Sequence, residues 1–253
     1  MTSTHTNLAT EARLQWLSEC LAEHGSVTIS EAAVALEVSE MTIRRDLVEL
    51  EERGVARRVR GGALPLGPQP FAERKQSRAR AKAQIAAKVV DLVPATGTIA
   101  FDASSTVMRV AASLSGARDL RVLTNGPDTF HALQARPGVT PLLTGGQLDQ
   151  RTGSLVGALA SWTARQLVVS RFITSCAAVD PFIGATEAAL EEAEVKRAIA
   201  VGAEHIVLAI DASKLGRRAG VVGLDWSAID LLVTDLDPTD PKLDPYRAVV
   251  EIL

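Results

Sequence analysis

Cysteine is almost absent from this chain of 253 residues: Cys20 and Cys176 are the only two, they fall in different halves, and each is embedded in apolar sequence. That scarcity argues against a disulfide framework or a zinc site, and both thiols read as small core residues. Long apolar runs are missing too. None reaches the roughly 20 residues needed to span a bilayer, and residues 1–10 are polar, without the basic-then-apolar order of a signal peptide. The expectation is a cytoplasmic protein with no membrane partner. Nor is there an excess of positive charge: 27 Lys and Arg against 30 Asp and Glu give a formal net charge of −3. A nonspecific polyanion binder needs broad phosphate neutralisation, so any nucleic-acid binding here is expected to be site-directed.

What is present is enough apolar sequence, 47% of residues, for substantial cores, and enough length for two domains. The most informative stretch is Ser39-Glu40-Met41-Thr42-Ile43-Arg44-Arg45-Asp46-Leu47. Ile43, Leu47 and Leu50 recur at helical spacing and predict one buried face, which leaves Thr42, Arg44 and Arg45 projecting from the other side. Before it, Leu14, Leu17 and Leu21 form an apolar stripe that stops at Gly25, and Val27-Thr28-Ile29 reads as a turn of strand. Ser30 is the predicted N-cap of a short helix through Leu36, and Ser39 that of the next. Two capped helices a short turn apart, the second with basic first turns, suit a helix-turn-helix placed in a DNA major groove.

After Glu52 the charge changes sign, with Arg53, Arg57, Arg58 and Arg60 and no acid among them, in a stretch (residues 55–63) that suits a β-wing lying along phosphates. The alternative for Arg44-Arg45, a merely solvated helix face, fits an isolated pair better than a pair in this setting. Gly61 to Pro70 then concentrates Gly and Pro without periodicity. The expected domains are residues 1–62, a linker at 63–73 that includes Pro70-Phe71, and residues 74–253, opening with a basic helical segment from Phe71 to Leu92.

From Ile99 onward, short aliphatic runs alternate with helical stretches, which predicts an α/β fold with a mainly parallel sheet. Ligands of such sheets bind beyond the carboxyl ends of the strands. The residues there share a character: Asp102-Ala103-Ser104-Ser105-Thr106, Thr124-Asn125-Gly126, Thr144-Gly145-Gly146 and Asp211-Ala212-Ser213-Lys214. Ser104, Ser105 and Thr106 precede a predicted helix (residues 107–114) whose free amides and dipole favour an anion; an ordinary N-cap serine is the alternative. Gly145-Gly146 also fits a plain turn. With Lys214 and Lys82 as cations, the set suits a small phosphorylated, hydroxyl-rich compound. On a helix expected over residues 187–203, Glu191 or Lys196 is a further candidate, an exposed Glu192–Lys196 pair being the alternative.

These motifs resemble, over nearly the whole chain, the DeoR family of bacterial transcription regulators. Residues 38–47, Leu50-Glu51-Glu52-Arg53-Gly54 and Arg60-Gly61-Gly62-Ala63 carry the N-terminal resemblance. The strand-end motifs, Leu155-Val156-Gly157 and Glu194-Val195-Lys196-Arg197 carry the rest. The resemblance implies a winged helix-turn-helix followed by an α/β, mainly parallel-sheet sensor domain resembling ribose-phosphate isomerases. It implies a repressor of carbohydrate-metabolism genes relieved by a phosphorylated sugar, working as a homo-oligomer, dimer or tetramer, on a double-stranded DNA operator. Ser39, Thr42, Arg44 and Arg45 are expected at the groove, with Arg58 and Arg60 on phosphates. The effector set is Lys82, Asp102, Ser104, Ser105, Thr106, Thr124, Asn125, Gly145, Gly146, Glu191 and Lys214.

The chain departs from the family pattern where relatives read Gly-Ala-Asp-Gly: here stand Ser175-Cys176-Ala177-Ala178, with no acid at Ala177, and Ala189-Leu190 replaces an Asn-Glu pair. In the isomerases that acid belongs to the proton-transfer machinery, and alanine moves no proton. The expectation is therefore a protein without catalytic residues, cofactor or metal. Two alternatives stand beside it: an isomerase-like enzyme, and a constitutive DNA-binding regulator with a degenerate sensor.

Overall fold

A computed structural model of the chain describes residues 3–53, 55–65 and 70–253. The contacts divide it into two units, residues 1–68 and 69–253.

The first unit runs α1 (Ser3–His24), β1 (Val27–Thr28), α2 (Ile29–Ala35), α3 (Glu40–Glu52), β2 (Ala56–Val59) and β3 (Gly62–Pro65). Leu14, Leu17 and Leu21 of α1 close a small core with Ile43, Leu47 and Leu50 of α3. Gly25, at φ +71°, provides the left-handed residue after α1 and returns its N–H to Leu21 O at 3.0 Å. The guanidinium of Arg13 grips buried Asp46 with bonds of 2.8 and 3.0 Å, tying α1 to the back of α3. The wing is a three-stranded antiparallel sheet in the order β1-β3-β2. A Cβ on Gly62 would lie 2.0 Å from Val27 O, so β3 reaches β1 only because that residue is glycine.

Two expectations change here. The cap of α2 is Thr28, whose hydroxyl accepts Glu31 N–H at 3.2 Å, and not Ser30, because buried Ile29 is already the helix's first residue. The expected linker of residues 63–73 also shortens. Ala63, Leu64 and Pro65 are strand residues paired with β2, and Phe71 begins a helix of the second unit. The middle of that linker, residues 66–69, lies outside the described residues.

The second unit begins with α4 (Phe71–Gln76) and α5 (Ala79–Val90), then β4 (Thr96–Phe101), α6 (Ser105–Ser113), β5 (Asp119–Thr124), α7 (Pro127–Gln134) and β6 (Val139–Leu143). A hairpin of β7 (Gln147–Asp149) and β8 (Ser154–Val156) leads into α8 (Ala158–Arg165) and β9 (Arg171–Thr174). After β10 (Ala178–Asp180), β11 (Gly184–Glu187) and α9 (Leu190–Ala200) come β12 (Ile206–Ile210), β13 (Val221–Leu224), β14 (Leu231–Thr234) and β15 (Glu251–Ile252).

Seven strands form one sheet in the order β15-β14-β12-β9-β4-β5-β6, parallel throughout, with an apolar core on each face. All five residues of β12 are buried, as a central parallel strand between two helical layers requires. Pro141, which has no N–H to give, sits in the edge strand β6. The hairpin β7–β8 and the antiparallel sheet β10-β11-β13 leave from the carboxyl ends of β6 and β9.

Three helices differ from the sequence reading. The basic segment predicted as one helix over residues 71–92 is broken into α4 and α5 at Arg78, which adopts φ +51°. Helix α6 starts at Ser105, two residues ahead of the expected start, because Ser104 is its cap. The helix expected over residues 187–203 is α9, and Glu187 belongs instead to the end of β11.

Candidate nucleic-acid interface and effector site

Helix α3 begins at a well-made cap. Ser39 Oγ accepts Thr42 N–H at 3.1 Å, and the two hydroxyls lie 2.9 Å apart. With Ile43, Asp46, Leu47 and Leu50 turned inward, Glu40, Met41, Arg44 and Arg45 are exposed. The arginines expected to be free are divided. Arg44 meets Glu40 at 3.3 Å, Arg53 meets Glu11 and Glu49 at 2.9 and 2.6 Å, and Arg58 meets Glu51 at 2.7 Å. Glu51 also accepts the backbone N–H of Arg58, and the two bonds hold its carboxyl below its usual range. The arginine stretch therefore contains no acid in sequence but faces acids in space. Among the described residues, the side chains of Arg45, Arg57 and Arg60 have no hydrogen-bond or ion-pair partner; Arg57 lies on β2 and Arg60 in the wing turn.

In the second unit the predicted strand-end residues come together along the carboxyl edge of the sheet, since β12, β9, β4, β5 and β6 are neighbours in that order. Asp102, fully buried after β4, accepts Ser104 N–H at 2.9 Å on one oxygen. Its other oxygen accepts Thr174 Oγ1 at 2.9 Å and Ser175 N–H at 2.8 Å, with Lys196 Nζ at 3.2 Å. Burial alone would raise this carboxyl, yet Lys196 and the bonds from Ser104 and Ser175 hold it below the ordinary value. Asp102 thus serves to fix the loop, and has little capacity left for a ligand.

Ser104 Oγ caps α6 through Val107 N–H at 3.1 Å, the alternative role considered for it. Ser105 and Thr106 are buried at the same helix start, and Thr106 Oγ1 has no partner there. Thr124 Oγ1 is taken by Gly126 N–H. Asn125 Nδ2 donates to Leu155 O at 3.1 Å and its backbone oxygen accepts Leu155 N–H at 2.7 Å, holding β8, while its side-chain Oδ1 is buried without a partner. Gly145 and Gly146 both have positive φ, and a Cβ on Gly146 would lie 2.6 Å from Val156 O, so that residue is needed for close packing of the turn.

Lys214 donates to Ser175 Oγ at 3.0 Å and Cys176 O at 2.6 Å. Lys82 is buried and bonds the carbonyls of Arg74 and, at 2.8 Å, Ser77, beyond the break that ends α4. Burial, then the nearby charge of Lys214, pushes its pKa down to about 8.

Glu191 is not part of this set. It is exposed on α9 and touches none of these groups, whereas its neighbour Glu192 is buried. The exposed Glu192–Lys196 pair considered as an alternative is also absent, because Lys196 is buried and turned to Glu187 at 2.7 Å. Burial raises Glu187 to about 7 even against that ammonium, while Glu187 and Asp102 together raise Lys196 in spite of its own burial.

The sequence reading missed Glu187, Thr174 and Ser175. A glutamate inside a short strand bounded by Gly184 is a signal for the first; nothing local marks the other two. Cys176 is buried beside them, and burial pushes its thiol up to about 12. Asp180 accepts Phe182 and Ile183 N–H groups and binds Arg218, closing the β10–β11 turn. An open depression of about 360 Å³ lies at the opposite, amino end of the sheet, lined by Asp91, Arg171, Glu204 and His205 among others, and contains none of the predicted residues.

The chain matches the family model of the DeoR-like helix-turn-helix domain over residues 13–67 and that of the DeoR C terminal sensor domain over residues 77–236. It belongs to the DeoR family. Among its relatives, the glycerol-3-phosphate regulon repressor of Escherichia coli (strain K12) is 32% identical, over 87% of this chain and 88% of that one. The putative aga operon transcriptional repressor of Escherichia coli O157:H7 is 28% identical, over 96% and 93%. Among solved structures, ribose 5-phosphate isomerase A from Methanocaldococcus jannaschii is similar with a TM-score of 0.39 and 15% identity, over 55% of each chain. This DeoR-family chain is a DNA-binding transcriptional regulator, with its helix-turn-helix in the first unit and its sensor domain in the second. No helix of the described residues is long and apolar enough to cross a membrane.

Proposed function

We propose that this DeoR-family regulator represses carbohydrate-metabolism genes in the cytoplasm and is released from its operator by a phosphorylated sugar held at the carboxyl edge of the sensor sheet. The observation that carries the effector is the start of α6. Ser105 and Thr106 stand there, with an unpartnered Thr106 hydroxyl, at a helix end that favours an anion, and Lys82 and Lys214 are the basic residues of the set. Asn125, whose side-chain Oδ1 has no partner, suits a sugar hydroxyl. Arg45, with Ser39, Thr42 and Arg44 beside it, meets the major groove, and Arg58 and Arg60 meet phosphates. One such module contacts few base pairs, so a dimer or tetramer on repeated half-sites is the working form.

The test is anisotropy of the purified protein on DNA from its own upstream region at fixed salt, with and without a panel of sugar phosphates. Release by one compound, lost in Ser105→Ala/Lys214→Ala while DNA affinity is kept, supports the reading. Specific binding indifferent to every compound supports the degenerate sensor instead.

A second reading, an isomerase-like enzyme, is favoured by one observation: a buried glutamate, Glu187, whose pKa near 7 suits a general base. Against it stand Ala177 in place of the acid and the occupation of Glu187 by Lys196. Turnover of ribose 5-phosphate, abolished by Glu187→Gln, would establish that reading over ours.

A further inference from the structure

The face of α3 that meets DNA can be narrowed further, given the DNA-binding role on which this step rests. Each residue of an α-helix turns the next side chain by about 100°. With Ile43, Asp46, Leu47 and Leu50 buried, the direction opposite their centre is occupied by Met41 and, one turn on, Arg45. Polar groups of the first turns lie to either side of that direction: the Ser39 and Thr42 hydroxyls bond each other at 2.9 Å, and Arg44 sits in a surface pair with Glu40 at 3.3 Å. Met41 is 59% exposed, an apolar side chain standing among Glu40, Arg44 and Arg45.

A thioether neither donates a proton nor carries charge. The one apolar feature that a base pair presents in the major groove is the C5-methyl group of thymine. We propose that Met41 reads a thymine methyl while Arg45, on the same stripe, reads a guanine edge. The two Cα atoms are separated by about 6 Å along the helix axis, so the two bases fall within about two base-pair steps of each other. The unbranched side chain of Met41 adapts to the methyl without a fixed rotamer, which makes it a determinant of specificity with no share in phosphate binding.

The experiment uses the full chain and an operator fragment located by footprinting in the upstream DNA. Each thymine of the footprint is replaced in turn by deoxyuridine, which removes only the C5-methyl. At one thymine in each half-site the replacement should weaken wild-type binding by about 3- to 10-fold. Met41→Ala should weaken binding to the thymine form by a similar factor and lose nothing more on deoxyuridine at that position. Met41→Leu, which keeps the apolar bulk, should retain the methyl dependence. The side chain is exposed, so circular dichroism of both variants should match the wild type. Losses from Met41→Ala and from every deoxyuridine that simply multiply would overturn the assignment of Met41 and leave the regulator intact. Absence of any footprint would overturn the regulator itself.

Discussion

Lys196 Nζ lies 2.7 Å from Glu187 Oε1, and both side chains are almost wholly withdrawn from water. The same ammonium is 3.2 Å from Asp102, so a single cation on α9 compensates two buried carboxylates that end β11 and follow β4. It also donates to Ser175 O, which joins the carboxyl end of β9 to the group. The loop that carries the candidate phosphate residues therefore rests on a buried charge centre.

Removing that cation leaves two acids facing each other in the core. Lys196→Met is expected to destabilise the sensor domain by about 3–5 kcal/mol, the cost typical of breaking a buried pair from one side. Urea unfolding of the full chain measures it. A loss below about 1 kcal/mol would mean that water reaches the cluster freely.

Glu187 gives the cluster a pH signature. Its folded pKa, near 7, stands above the ordinary 4.5, so between those values the folded protein holds a proton that the unfolded chain has released. Its contribution to stability is complete below about 4.5 and is lost as pH rises through about 7. Stability followed across that window should decline in the wild type and decline less in Glu187→Gln. Parallel profiles for the two proteins would assign the titration elsewhere.

Much of the fold was legible because its signals are local. The apolar spacing of Leu14, Leu17 and Leu21, the cap at Ser39 and the aliphatic run Ile206–Ile210 each report an element without reference to the rest of the chain. The charge centre was not legible. Glu187 reads as helical until its strand pairing with β13 is seen, and the sequence leaves Lys196 open between a pocket residue and an exposed partner of Glu192 until the helix is packed. The arginines after Glu52 misled for the same reason, since Glu51 returns to Arg58 across seven residues that a linear reading passes over.

That ion pair yields a prediction about DNA. Glu51 and Arg58 are both at the surface, where such a pair is weak and exchanges readily. Glu51→Gln should free Arg58 for phosphate, raising affinity for all sequences and steepening the salt dependence by about one phosphate contact. Arg58→Ala should do the reverse, without changing base preference. Plots of log affinity against log salt for the three proteins decide it. Three equal slopes would take Arg58 off the phosphate backbone.

Lys82 offers the last test, on the ligand side. Its ammonium is buried and bonded to the carbonyls of Arg74 and Ser77, and its pKa near 8 lies well below the ordinary 10.5 of lysine. Below about 8 the group is charged and attracts an anion; as pH rises through about 8 the charge goes, and with it that part of the attraction. A phosphorylated effector should therefore release the operator less effectively at pH 9 than at pH 7, by about tenfold in half-saturating concentration if Lys82 supplies about 1.4 kcal/mol. Lys82→Met should respond weakly at both values and lose the pH dependence. A wild-type response that is flat from pH 7 to 9 would place the phosphate nearer Lys214, whose ammonium is held by Ser175 and Cys176 instead.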